Sequence, residues 1–137
     1  MGNRAVITQS TASNAPCIYL HWNGGADSVK GFLAVAKNFD ITGSPTEQMD
    51  ILAELLAKHF FNCEVNQKTV YRQEYGSSDT DNYDNGVYLI DSKWDLVDRL
   101  YKRYPEQKQW DSKEIAQEIL KNVLADSLGL ERKEQAA

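Results

Sequence analysis

The residues best suited to chemistry in this chain lie in one stretch, Ile18-Tyr19-Leu20-His21-Trp22-Asn23-Gly24-Gly25-Ala26-Asp27-Ser28-Val29. An apolar run enters two glycines, and an acidic residue and a serine lead out into a helical pattern. Paired glycines let a ligand approach the main chain closely. A helix beginning there aims unpaired N–H groups and the positive end of its dipole at the same turn. The chemistry this predicts is anion binding, phosphate above all, with Trp22, Asn23, Gly24, Gly25, Asp27 and Ser28 as candidate ligand-binding residues. The plainer alternative is a strand-to-helix turn in which Asp27 and Ser28 merely cap the helix.

A second candidate is the polar run Asp79-Thr80-Asp81-Asn82-Tyr83-Asp84-Asn85-Gly86. Asn82 and Asn85 supply amide donors and acceptors suited to a ribose hydroxyl or a base edge. Calcium fits poorly: with Gly86 at the sixth loop position, Tyr83 falls on the third, where an oxygen ligand is required, and Ser92 on the twelfth, where a bidentate glutamate is required. Asn85-Gly86 reads equally well as a hairpin turn. Tyr75, just before this run, offers an aromatic face for a base. Arg99 and Arg103 stand four apart on one face of a predicted helix, placed to reach phosphate.

Cys17-x-x-x-His21 and His59-x-x-x-Cys63 do not carry a usual zinc spacing, and both cysteines have apolar neighbours. A buried thiol and a satisfied histidine are the expectation, with no metal, no cofactor and no catalytic set. The two histidines lie outside polar clusters, leaving general-base chemistry without a centre.

The elements that must hold these residues follow from patterning. At 137 residues, 42% of them hydrophobic, the chain is long enough for one domain with a real core. We expect a single ligand-binding domain over 1–130 and a frayed tail over 131–137. The net charge of −5 argues against a binder of polymeric nucleic acid, yet one helix terminus and an arginine suffice for a small anion. No apolar run reaches membrane-spanning length and no signal peptide is apparent, so the expectation is a cytoplasmic protein away from membranes.

Arg4 to Thr8 and Cys17 to Trp22 predict an N-terminal β-hairpin, and Val29 to Lys37 a helix, weakened at Gly31 unless a close packing contact needs that glycine. Ser44-Pro45-Thr46-Glu47 is a capping box opening a helix over 45–61, with Ile51, Leu52, Leu55, Leu56 and Phe60 as its inward stripe. Strands are predicted over 68–73 and 87–91, and a helix over 94–104 with Leu96, Val97 and Leu100 inward. A last helix starts at Asp111, carries Ile115, Ile119, Val123 and Leu124 inward, and stops at Gly129. The fold class is α+β, a small antiparallel sheet packed against about four helices.

Two resemblances add to this reading. Gly24-Gly25-Ala26-Asp27-Ser28 is similar to the Ser-Gly-Gly-x-Asp-Ser phosphate loop of the ATP pyrophosphatase superfamily, with Asn23 in place of the first serine. That likeness implies a nucleotide-binding enzyme. Gly2 to Thr8, Ile18 to Ser28, and Asp81 to Asp91 with Trp94 resemble the first family of Thoeris anti-defence proteins of phages. These blocks cover about a quarter of the chain, and Tyr19-Leu20-His21-Trp22-Asn23-Gly24-Gly25 is the most specific. This second resemblance implies a sponge without turnover, which sequesters a cyclic ADP-ribose isomer made by bacterial TIR-domain immune enzymes. It further implies a ligand pocket closed between subunits of a homo-oligomer, at least a dimer, and in some members a separate site for cyclic oligonucleotides. A third reading is an interaction protein whose aromatics block a host protein.

Overall fold

The computed structural model describes residues 3–103, 105 and 111–129. Its five strands are β1 (Ala5–Thr8), β2 (Pro16–Leu20), β3 (Val70–Glu74), β4 (Val87–Ile90) and β5 (Leu96–Leu100). The helices among the described residues are α1 (Ala26–Asn38), α2 (Pro45–His59) and α3 (Ser112–Leu128), with a single 3₁₀ turn over Tyr75–Ser77. The strands form one sheet in the order β3-β2-β1-β4-β5. This is the α+β class expected, with two corrections: the sheet is mixed, because β1 and β4 run parallel, and the α-helices among the described residues number three.

The N-terminal hairpin forms as its alternation dictates, with Val6 opposite Tyr19 and Thr8 opposite Cys17. β1 is buried along its whole length, so Ala5 to Ile7 are apolar without a break, and the buried Thr8 hydroxyl donates to Ser10 O at 2.8 Å. One face of the sheet (Ala5, Ile7, Ile18, Leu20, Val70, Tyr88, Ile90) carries the helices. They contribute Val29, Phe32 and Ala36 from α1, Met49, Leu52 and Leu56 from α2, and Ile115 and Ile119 from α3. The other face is a thinner layer of Val6, Cys17 and Val87, with Tyr19, Tyr75 and Leu100 packed against it.

α2 begins with the expected capping box: Glu47 N–H donates to Ser44 Oγ, and Ser44 N–H donates to Glu47 Oε1, both at 3.1 Å. Its inward stripe differs from the expectation at Ile51, which is 46% exposed, while Gln48 is buried. Gln48 earns that position by donating to the carbonyls of Ile41 and Ser92 and accepting from Gln9 Nε2. In α3, Leu124 likewise points outward and Asn122 takes the inner position, its amide donating to His59 O at 2.7 Å. Gly129 ends α3 in the left-handed conformation at φ 70°.

The helix expected over 94–104 is instead the strand β5, for reasons of turn chemistry. Asp91 Oδ1 accepts from the N–H groups of Lys93 and Asp95, folding the chain back at once after β4. Trp94 sits at φ 71°, an unfavourable conformation for a bulky residue, held there by burial and by its Nε1–H donating to Ile41 O at 3.0 Å. Leu96 and Val97, expected inward, are exposed. Arg99 and Arg103 therefore do not share a helix face. The Asn85-Gly86 hairpin is also not made: β4 joins β1 in parallel, and β2 and β1 stand between it and β3.

Candidate functional site

The Gly24–Gly25 turn lies at the end of the sheet where β2 runs out and α1 begins. Its two glycines have different duties. A Cβ on Gly24 would come within 2.6 Å of Ala5 Cβ and of Asn3 O. Its N–H donates to Asn3 O at 2.8 Å and its carbonyl accepts from the Tyr88 hydroxyl at 2.6 Å. Gly24 is thus a packing residue. Gly25 is the N-cap of α1 at φ −67°, ψ 160°, and the nearest atom to a Cβ there would be Asn3 Nδ2 at 3.8 Å. Gly25 has no side chain with which to cap α1, and the positive end of the helix dipole favours an anion there.

Ser28 is buried in the first turn of α1, and Asp27 is half-buried with its carbonyl accepting from Ser112 Oγ at 2.8 Å. That bond ties the turn to the start of α3. Asn23 takes φ 57° and lets the chain leave β2 for α1. Trp22 is 44% exposed and meets the His21 ring edge-on at 5.1 Å.

Asn85, far away in sequence, arrives at the same place through Asn3. Its Nδ2 donates to Asn3 Oδ1 at 2.5 Å and to Arg4 O at 3.0 Å, while Asn3 N–H donates to His21 O. Arg99 joins from β5, its Nη2 donating to Asn85 O at 2.8 Å and its guanidinium lying 3.8 Å from the centre of the Tyr88 ring. Gly25, Asn85 and Arg99 are therefore brought together, with Asn3 and Tyr88 as connectors. Asn3 lies in the Gly2 to Thr8 block of the resemblance without a role of its own there, and Tyr88 read as a strand residue and one of several aromatics available to a base.

The other expected residues serve elsewhere. Asn82 is fully satisfied inside the loop, donating to Asp79 O and Gly86 O and accepting from the N–H groups of Asp84 and Gly86. It organises the loop. Arg103 binds Asp81 through Nε and Nη2, and its guanidinium lies 5.0 Å from the Tyr83 ring centre. The hydrogen bonds from Arg103 hold the Asp81 carboxyl below its usual range. Tyr75 packs with Val6, Cys17 and Val87 on the face without helices, where burial raises its hydroxyl pKa. Burial likewise raises that of the Cys17 thiol.

Arg4 anchors the loop to β1, its Nε 2.8 Å from Asp84 Oδ2 and its Nη1 3.5 Å from Asp79 Oδ2. The Asp84 hydrogen bond raises the Arg4 pKa. His59, which the metal reading paired with Cys63, instead pairs with Asp126 at 2.6 Å. No group of three or more His, Cys, Asp or Glu among the described residues is placed to hold a metal ion. No helix there is long and apolar enough to cross a membrane. An open depression of about 720 Å³, lined by Lys58, Asn62, Glu64, Lys68 and Asp126 among others, lies away from the turn at the C-terminal ends of α2 and α3. Anions are disfavoured at such ends.

No family model matches this chain, and no curated protein or solved structure matches it either.

Proposed function

We propose that this protein binds and sequesters a cyclic ADP-ribose-type signalling nucleotide without cleaving it, as an inhibitor of an immune signal in an infected bacterial cell. The observation that supports this best is the meeting of the α1 N-terminus, Asn85 and Arg99 at one end of the sheet. A helix N-terminus and a guanidinium both suit the oxygens of a diphosphate. Asn85, whose amide hydrogens are held by Asn3 and the Arg4 carbonyl, has an amide oxygen suited to accept from a ribose hydroxyl. The resemblance of Tyr19 to Gly25 to the Thoeris anti-defence family supplies the identity of the ligand, and it also implies a pocket completed by a second copy of the chain.

The test is a release experiment. The protein is incubated with the cyclic ADP-ribose isomer, separated from free ligand, and heat-denatured. Recovery of intact ligand in proportion to protomer is the expected result. Recovery of a cleaved or adenylate-type product overturns it in favour of an enzyme using the glycine turn as a phosphate loop. Absence of uptake overturns it in favour of a protein that blocks a host partner directly.

A further inference from the structure

We infer that the helix-free face of the sheet carries a second part of the nucleotide site, a row of aromatic rings (Tyr71, Tyr19, His21 and Trp22) that takes a purine base by stacking. The phosphate end of this ligand rests on the reading above; the ring row stands on its own geometry. Residues two apart on a strand share a face, and residues directly opposite on neighbouring strands have adjacent side chains. Tyr19 on β2 lies opposite Tyr71 on β3, with ring centres 6.0 Å apart. His21 continues the same side of β2, where its N–H is bonded to Thr69 O, and its ring centre is 6.3 Å from that of Tyr19. Trp22 closes the row edge-on to His21 at 5.1 Å.

Three features mark this row as more than packing. The tyrosine and histidine rings are tilted against one another by 46–56°, so they do not consume each other's faces by stacking. Tyr19, His21 and Tyr71 are only half-buried and Trp22 is 44% exposed, although the core beneath the other face of the same strands is closed. Their polar atoms fix the rings in place: Tyr19 Oη and His21 Nδ1 are 3.0 Å apart, and the Tyr71 hydroxyl donates to Gln67 O at 3.2 Å. A pre-set, partly open set of π faces binds a base with little loss of side-chain freedom.

The row also runs directly into the phosphate end. Asn23 alone separates Trp22 from Gly24, and its left-handed φ of 57° turns the chain from the ring row to the start of α1. The ring row and the Gly25 turn are thus neighbours along the chain, three residues apart at Trp22 and Gly25. Arg4, with Asp79 and Asp84 on its guanidinium, borders the loop side of this face and offers hydrogen-bonding groups for a base edge.

Adenosine, ADP-ribose and pyrophosphate separate the two ends. In NMR titrations of the intact chain, adenosine is expected to shift the ring resonances of Tyr19, His21, Tyr71 and Trp22. Tyr71→Ala is expected to weaken ADP-ribose binding about tenfold or more, to leave pyrophosphate binding unchanged, and to be rescued by Tyr71→Phe. Trp22→Ala, at an exposed position that carries no core packing, is expected to act in the same direction. Parent-like ADP-ribose binding in both alanine variants overturns the stacking row while leaving the phosphate turn in place. Adenosine binding without pyrophosphate binding upholds the row and removes the turn. If the parent binds neither adenosine nor ADP-ribose, the row is not a base site.

Discussion

Gly24 and Gly25 are neighbours of identical type with opposite tolerances, and this contrast is the sharpest test at the scale of single residues. Gly24→Ala drives a methyl into Ala5 and the Asn3 carbonyl, and overpacking of this kind costs about 1–3 kcal/mol. Gly25→Val places its Cβ at an ordinary contact distance, 3.8 Å from Asn3 Nδ2, at a backbone conformation valine adopts readily. We expect it to fold like the parent but to lose nucleotide binding, because its branched side chain stands where phosphate would approach α1. Denaturant unfolding and ligand titration of the two variants check this; a folded Gly25→Val variant with full affinity removes the turn from the site. Asn82→Ala strips four hydrogen bonds from buried and half-buried backbone groups, and stability is expected to fall by about 2–3 kcal/mol in equilibrium denaturation. The Asp81–Arg103 pair has a pH signature. Because the Asp81 pKa is lowered in the folded state, its contribution is present above the ordinary value of 3.8 and is lost as pH falls through the lower folded value. Thermal melting of Asp81→Asn should therefore lie below the parent near neutral pH and converge with it in acid.

Among the elements, α1 and α3 make the contact that holds the candidate turn still. Gly31 faces Ile115 and the Ser112 carbonyl so closely that a Cβ would lie 2.6–2.8 Å from them. The close packing contact suggested by a glycine in mid-helix is therefore real. Gly31→Ala gains about 1 kcal/mol of helix propensity but forces the helices apart, at a cost of about 1–3 kcal/mol. We expect net destabilisation, and weaker ligand binding as well, since Ser112 bonds to Asp27 O in the turn. A Gly31→Ala variant with a raised melting temperature would show that α1 and α3 separate freely. The two edge strands are both blunted. On β5, Val97 falls in a register shift opposite β4, and on β3 the Arg72 N–H is taken by Asn66 Oδ1. Bulges and covered edges of this kind discourage pairing with another sheet.

At the scale of the whole molecule, this edge protection directs any self-association to side-chain surfaces. The proposed sponge needs its ligand enclosed, and drug-sized ligands are usually buried over most of their surface. The turn, Asn85 and Arg99 form one wall at the end of the sheet, and a second copy related by two-fold symmetry would supply another. We expect light scattering to show at least a dimer with one ligand per protomer, and thermal stability to rise with ligand concentration. A monomer that binds the nucleotide tightly would leave a surface groove in place of a shared pocket.

Local patterning determined much of this protein. The hairpin β1–β2, the capping box of α2, the glycine stop of α3 and the strand at β4 are each written in short-range chemistry: alternation, a Ser-Pro-x-Glu start, a left-handed cap. The candidate turn was legible for the same reason, since glycines between a strand and a helix depend only on neighbours in the chain. What needed the tertiary structure was every choice made between distant segments. Leu96, Val97 and Leu100 have helical spacing, yet pairing with β4 and the Asp91 turn made a strand of them. Asn85-Gly86 has hairpin chemistry, yet β1 offered β4 a buried central position in parallel. Asn82 and Asn85 look alike in sequence; burial made one the hub of a loop and contact with Asn3 brought the other to the turn. The aromatic row is the clearest case, because Tyr71 and Tyr19 meet only through the β2–β3 register. Side-chain types and their periodicity fix what a segment can do locally, whereas which segments share an edge or a face is settled by burial over the entire core.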